Sequence, residues 1–279
     1  MGGKKKIIKV LAENKTVSAV YKGEHGLSLY LDTGRYKLLF DLGASNLCLE
    51  NARKMQVDLT AVDMVFISHG HHDHGGGLAQ FLKLNRKAPV YIRPPAFAGH
   101  YAQKPDGSHS YIGLEQDLLP NKRFLFTEEY VRINEELEVF SAVRGSRLEP
   151  LGNRHLLMET EHGLAPDNFL HEQNLLITAG DKKVLIAGCA HRGIVNILEH
   201  VSANRYGPVT HVIGGFHLYS PPTGKYESKE LIRGIGDYLQ QLGLQYYTCH
   251  CTGVEAYKQL KKQLCERMHY LANGSALTI

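Results

Sequence analysis

Residues 66–77 read FISHGHHDHGGG. Four histidines and one aspartate occupy positions 69–74, directly after the apolar run DMVFI, and three glycines follow. The preceding segment, DMVFISH, has the pattern of a short buried strand, and GGLAQFLKLN after it has apolar residues at helical spacing. The cluster therefore sits on a strand-to-helix turn. His69 and His71 are two residues apart, so in an extended segment they point to one side. Asp73 and His74 follow before the helix. Neutral imidazoles and a carboxylate are the donors that borderline divalent ions such as zinc prefer. A turn of this kind can wrap them around two nearby ions, and Gly75, Gly76 and Gly77 permit the backbone to approach closely. His72 is expected to point away. A merely solvated loop is the alternative, but a buried strand ending in four imidazoles and an acid is electrostatically poor without a cation.

Working outward, strand and helix patterns interleave along the whole chain. KIIKVLAEN reads as a first strand, and HGLSLYLDTGRYKLLFDLG as a hairpin about a DTGR turn. NLCLENARKMQV reads as a helix and APVYIRP as a strand. Further on, RFLFTEEYVRINEELEVFSAV reads as strands around turns and NLLITAGDKKVLIAG as a hairpin. HRGIVNILEHVSA, SKELIRGIGDYLQQLG and VEAYKQLKKQLCERM read as helices; VTHVIGG, LQYYTCH and SALTI read as strands. Hairpins in both halves predict mixed sheets. Residues 95–122, rich in Gly, Pro, Tyr and His, and residues 145–170 are irregular and lack clear periodicity; stretches of this length are expected to be insertions or lids. The expectation is one domain over residues 1–279 carrying these two insertions.

The 279 residues, 43% hydrophobic and 22% charged, have globular composition. Net charge is +4, with the basic residues scattered. The dense run KKK at 4–6 is read as a solvated tail rather than a nucleic-acid contact. An odd count of five cysteines argues against a secreted disulfide framework. No apolar run is long enough for a membrane span or a signal segment. The expectation is a cytoplasmic protein with a small-molecule substrate, no nucleic-acid or membrane partner, and an oligomer possible. Sixteen histidines are many for this length and point to a metal.

The pattern His-x-His-x-Asp-His after an apolar strand resembles the metallo-β-lactamase superfamily. KLLFDLG, ending in Asp41, matches its first motif. EHGLS at 24–28, FDLGAS at 40–45, SHGHHDHGGGL, IAGCAHRGIVNI at 186–197, VIGGFHL at 212–218 and TCHCTGVEA at 248–256 together resemble one subgroup over nearly the whole chain. Its members are named as 7,8-dihydropterin-6-methyl-4-(β-D-ribofuranosyl)aminobenzene-5′-phosphate synthase, or simply as metal-dependent hydrolases. The resemblance implies an α/β fold, a four-layer αββα sandwich with mixed sheets, built from two similar halves.

It also implies a ligand set. Asp41 supports the metal loop rather than binding metal. His69, His71, Asp73 and His74 are joined by His191 and by His250, the latter where the superfamily pattern expects its last histidine; a helix-start or core histidine is the plainer reading of either. Most members place a bridging aspartate where this chain has Cys189. That thiol either binds metal or is a small buried cysteine. His171 is a further possible ligand. His217 is assigned to substrate binding or proton transfer, with His25 lining the same cleft. Arg192, at a helix start, either binds an anion or lies on the surface. Cys249 and Cys251 are expected to point away from His250.

The chemistry implied is hydrolysis by a metal-bound hydroxide at two divalent ions, zinc foremost, with manganese or iron as alternatives. The substrate is a phosphoester or a pterin-related small molecule, with Asp73 orienting the nucleophile. The alternatives are the condensation implied by the subgroup name and a non-catalytic metal-binding or sensing module. No GxSxG elbow or Walker loop is present.

Overall fold

The computed structural model describes residues 6–279. Lys4 and Lys5 of the basic run lie outside the described residues. The chain divides into two compact units: Met1–Ala98 with Gly113–Glu128 and Leu271–Ile279, and Gly99–Ile112 with Glu129–Tyr270.

The first unit is built on a seven-stranded sheet. In spatial order its strands are Ala276–Thr278, Ile7–Ala12, Ser28–Asp32, Lys37–Phe40, Met64–Phe66, Val90–Ile92 and Phe124–Phe126. The first four run antiparallel to their neighbours, and from Lys37–Phe40 onward the pairing is parallel. The helices Leu47–Lys54 and Leu78–Leu84 bury Cys48, Ala52, Leu78 and Phe81 in one core with Leu39, Val65 and Val90 of the strands. The alternate strand residues Leu38, Phe40 and Phe66 are buried too. Both faces are covered, so these strands read as unbroken apolar runs rather than alternating ones.

The second unit repeats this plan. Its seven-stranded sheet has the spatial order Met268–Tyr270, Gln245–Thr248, His211–Gly214, Lys182–Ile186, Gln173–Ala179, Leu137–Ser141 and Tyr130–Arg132. Three neighbouring pairs are parallel and three antiparallel, as in the first unit. Helices Ile194–Ala203, Lys229–Leu242 and Val254–Leu264 bury Ile194, Ile197, Ile232, Leu239 and Leu260 against Leu185, Val212 and Tyr246. Each such side chain contributes about 1.5–3 kcal/mol by leaving water. Helix 229–242 starts where the Ser228 hydroxyl accepts the Leu231 N–H and ends at Gly243, whose φ of 67° closes the last turn.

The two stretches expected to be irregular each contain a pair of strands. His100–Gln103 and His109–Tyr111 form a hairpin, and Leu156–Thr160 and Gly163–Pro166 form another. Leu156–Thr160 pairs with His100–Gln103, giving one four-stranded sheet within the second unit. Strand Met268–Tyr270 and the two-residue ribbon Tyr219–Ser220/Lys225–Tyr226 were not anticipated either. Among the described residues, no helix is long and apolar enough to cross a membrane.

Candidate metal centre

The parallel strands of each unit end on one edge, and the residues singled out by sequence follow those ends. This is where α/β sheets present their ligand sites.

In the first unit, the ends of Lys37–Phe40 and Met64–Phe66 deliver Asp41 and the turn at 68–74. Asp41 is fully buried with φ 60°. One carboxylate oxygen accepts the Ser68 N–H at 2.7 Å; the other accepts the Ser68 hydroxyl at 2.7 Å and meets His74 Nδ1 at 2.6 Å. A carboxylate on Nδ1 leaves Nε2 as the donor atom of His74 and raises its basicity. The Ser68 hydroxyl also lies 2.8 Å from His69 Nδ1, so both imidazoles are oriented by one small network. The donor atoms of His69, His71 and Asp73 lie within 4.8 Å of one another. His74 Nε2 is 3.7 Å from Asp73 Oδ2, and His25 Nε2 is 3.2 Å from the same oxygen. His72 is exposed.

The glycines hold this turn against the neighbouring backbone. A β-carbon at Gly76 would lie 2.2 Å from the Ala44 carbonyl oxygen, and one at Gly77 would lie 2.4 Å from that of Leu42. The Leu42 N–H donates to the His74 carbonyl at 2.7 Å, fastening the two segments together.

In the second unit, the Lys182–Ile186 strand leads to Cys189 and His191, His211–Gly214 leads to His217, and Gln245–Thr248 leads to His250. Cys189, His191 and His250 are buried. The His191 ring stacks on Phe169, with centroids 4.7 Å apart, and its Nδ1 lies 3.1 Å from Asn153 Oδ1. Cys189, His217 and Cys251 place their donor atoms within 4.8 Å of one another. Cys251, expected to point away from His250, accepts the His217 N–H on its sulfur at 3.3 Å. His250 has a φ of 51° and opens a 3-10 turn, which ends the strand geometry there. His217 itself has a φ of 50°, is 8% exposed, and its Nδ1 has no hydrogen-bond partner.

Arg192 departs from the anion-binding expectation. Its guanidinium donates to the carbonyls of Val143 and Gly145 and to Glu149, so it braces the 143–149 loop. Two groups escaped sequence reasoning. Glu172 is buried and accepts the N–H groups of His191 (2.6 Å) and Arg192 (3.1 Å). Burial pushes its carboxyl up to about 7, against those hydrogen bonds. Asp167 receives both His100 Nδ1 (3.0 Å) and His171 Nε2 (3.1 Å) on one oxygen. Burial pushes His171 down, opposed by Asp167. The only signal was polarity just before an apolar strand, in APDNFLHEQNLLIT.

The profile of the metallo-beta-lactamase superfamily matches residues 22–232. The chain belongs to the metallo-β-lactamase superfamily. Tm1679, described as a metal-dependent hydrolase of the beta-lactamase superfamily, is similar in structure with a TM-score of 0.82 and 30% identity, covering 98% of this chain and 99% of that one. Two Methanocaldococcus jannaschii proteins are 26% identical. One, covering 92% of this chain and 94% of its own length, is named only as uncharacterized. The other, covering 91% and 90%, is named 7,8-dihydropterin-6-methyl-4-(beta-D-ribofuranosyl)-aminobenzene-5'-phosphate synthase. The chain thus has the metallo-β-lactamase fold with mixed sheets, and this superfamily implies an enzyme that binds divalent metal. Three nitrogen and carboxylate donors drawn together at 69–73, beside a His74 oriented through Nδ1, are a chemically suitable set.

Proposed function

We propose that this metallo-β-lactamase-superfamily enzyme is a metal-dependent hydrolase of a small phosphoester or pterin-related molecule, acting in the cytoplasm. The observation that carries the reading is the convergence of the His69, His71 and Asp73 donors within 4.8 Å. The proposed ligands are His69, His71, Asp73 and His74 with His191 and His250, and Cys189 in place of a bridging carboxylate; the proposed complement is two ions, zinc foremost. When bound, such an ion supplies Lewis acidity and makes water acidic enough to ionise near neutral pH.

The chain's own residues do the rest. Asp41 fixes the His74 tautomer and, through Ser68, the His69 ring. The Asp73 carboxylate orients the attacking water by accepting its hydrogen bond, and His25 at 3.2 Å holds that carboxylate in place. His217, buried beside Cys189 and Cys251, carries the proton for the leaving group. Metal content by elemental analysis, with turnover of bis(4-nitrophenyl) phosphate before and after chelation, tests the reading. Turnover unchanged by chelation would exclude it.

The named synthase supports a second reading, condensation of a dihydropterin with a ribosyl-aminobenzene phosphate. Incubation with both and mass detection of a coupled product distinguishes it from hydrolysis.

A further inference from the structure

Within the second unit a cleft of about 730 Å³ opens between three segments far apart in sequence. The turn of the 100–111 hairpin supplies Lys104, the 3-10 turn Leu151–His155 supplies Arg154, and the 219–226 ribbon supplies Lys225. None of these cations forms a salt bridge among the described residues. The carboxylate in the lining, Glu227, is engaged: its Oε1 accepts the Gly152 N–H at 2.7 Å. Asp106, in the same hairpin turn as Lys104, is taken up by the Ser108 N–H (2.9 Å) and hydroxyl (2.6 Å). Even with Glu227 in the lining and Asp106 close enough to feel Lys104, the three cations leave the concavity with an excess of positive charge, which an anion would relieve.

The cleft also leads to the chemistry. A β-carbon at Gly152 would sit 3.6 Å from His217 Nε2 and 3.4 Å from Glu227 Oε1. The absence of a side chain at Gly152 therefore keeps the cleft open toward the imidazole. The volume falls in the range of small-molecule sites and far exceeds what inorganic phosphate needs.

We propose that this cleft is an anchoring subsite for the phosphomonoester group of a small, sugar-phosphate-sized substrate, with Lys104, Arg154 and Lys225 as its cations and His217 at its inner end. The proposal rests on the hydrolase reading only in making that ligand the substrate; the binding itself does not depend on turnover. Charge-assisted contacts of this kind are the strong ones, so removing two of three is expected to weaken binding about tenfold or more.

The test is calorimetric titration of the intact protein with ribose 5-phosphate, and with ribose as the uncharged counterpart. Ribose 5-phosphate should bind and ribose should bind at least about tenfold more weakly. The Arg154→Ala/Lys225→Ala double variant should lose about tenfold or more in affinity for the phosphate, whereas Lys87→Ala, an exposed cation paired with Asp63 and absent from the lining, should not. Gly152→Leu, at a position with room for a β-carbon and no left-handed backbone, is a second variant expected to weaken binding by filling the inner end. No binding of ribose 5-phosphate, equal binding of ribose, or full affinity in the double variant would each overturn the subsite. Chelator-sensitive turnover of uncharged 4-nitrophenyl acetate, measured in parallel, reports on the hydrolase reading alone, so the failure of one is not mistaken for the failure of the other.

Discussion

Asp73 holds its carboxylate among the donors of His69, His71 and His25, while His72 beside it is exposed. Asp73→Ala should therefore cost on the order of 100-fold or more in turnover and lower the metal content. His72→Ala should leave the metal content unchanged; equal metal loss in the two variants, by elemental analysis, would refute the assignment. Asp41 acts one step further out. Asp41→Asn would keep the size but weaken the grip on Ser68 and His74, and a loss of about 10- to 100-fold in metal affinity is expected from competition with a metal indicator. These residues were legible because imidazoles and carboxylates crowded after an apolar strand have few other uses. Glu172 and Asp167 were not legible, since each is recognisable only by what folds over it: the 191–192 backbone N–H groups for one, and two histidine rings for the other. Arg192 shows the reverse failure, because a cation at a helix start promises an anion until the carbonyls of 143 and 145 take its donors.

The turn at 72–77 depends on a neighbouring segment. With Ala44 O only 2.2 Å from the site of a β-carbon, Gly76→Val should push two backbone segments apart and cost about 1–3 kcal/mol. A lowered midpoint in urea unfolding, together with weaker metal retention, is the expected result; an unchanged midpoint would show that the turn yields freely. The glycines were visible in the sequence, but the backbone they touch, some thirty residues earlier, was not. The same limit explains residues 95–122 and 145–170. Strands of three to five residues are too short to show a period, and their partners lie far along the chain. Because Leu156–Thr160 is paired to His100–Gln103, the two stretches should behave as one element. Replacing the 100–111 hairpin by a short glycine linker should raise amide exchange across 156–166, and bulky phosphoesters should lose about tenfold or more in turnover while 4-nitrophenyl acetate is still processed. Protection at 156–166 that survives the replacement would show the stretches to be independent.

Both seven-stranded sheets follow one plan, with the candidate residues placed after the parallel strands of each. The interleaving of strands and helices made that repetition readable in outline, although no tandem sequence repeat betrays it. If the metal is held as proposed, zinc at a hundredfold its dissociation constant should stabilise the whole protein by about 2.7 kcal/mol. Thermal scans with zinc and with chelator check this, and coincident midpoints would argue against a site of that affinity. The order in which the chain is made adds a separate constraint. The Ala276–Thr278 strand closes the edge of the first unit's sheet beside Ile7–Ala12, and the buried Asn273 side chain donates to the carbonyls of Glu13 (3.0 Å) and Lys22 (2.8 Å). On the ribosome these residues emerge only after all of 129–270 has been translated. Until then the 7–12 strand presents an unpaired row of amides and carbonyls, the kind of surface that recruits foreign strands. The nascent protein therefore carries this open edge until the 276–278 strand follows the 129–270 segment out of the ribosome.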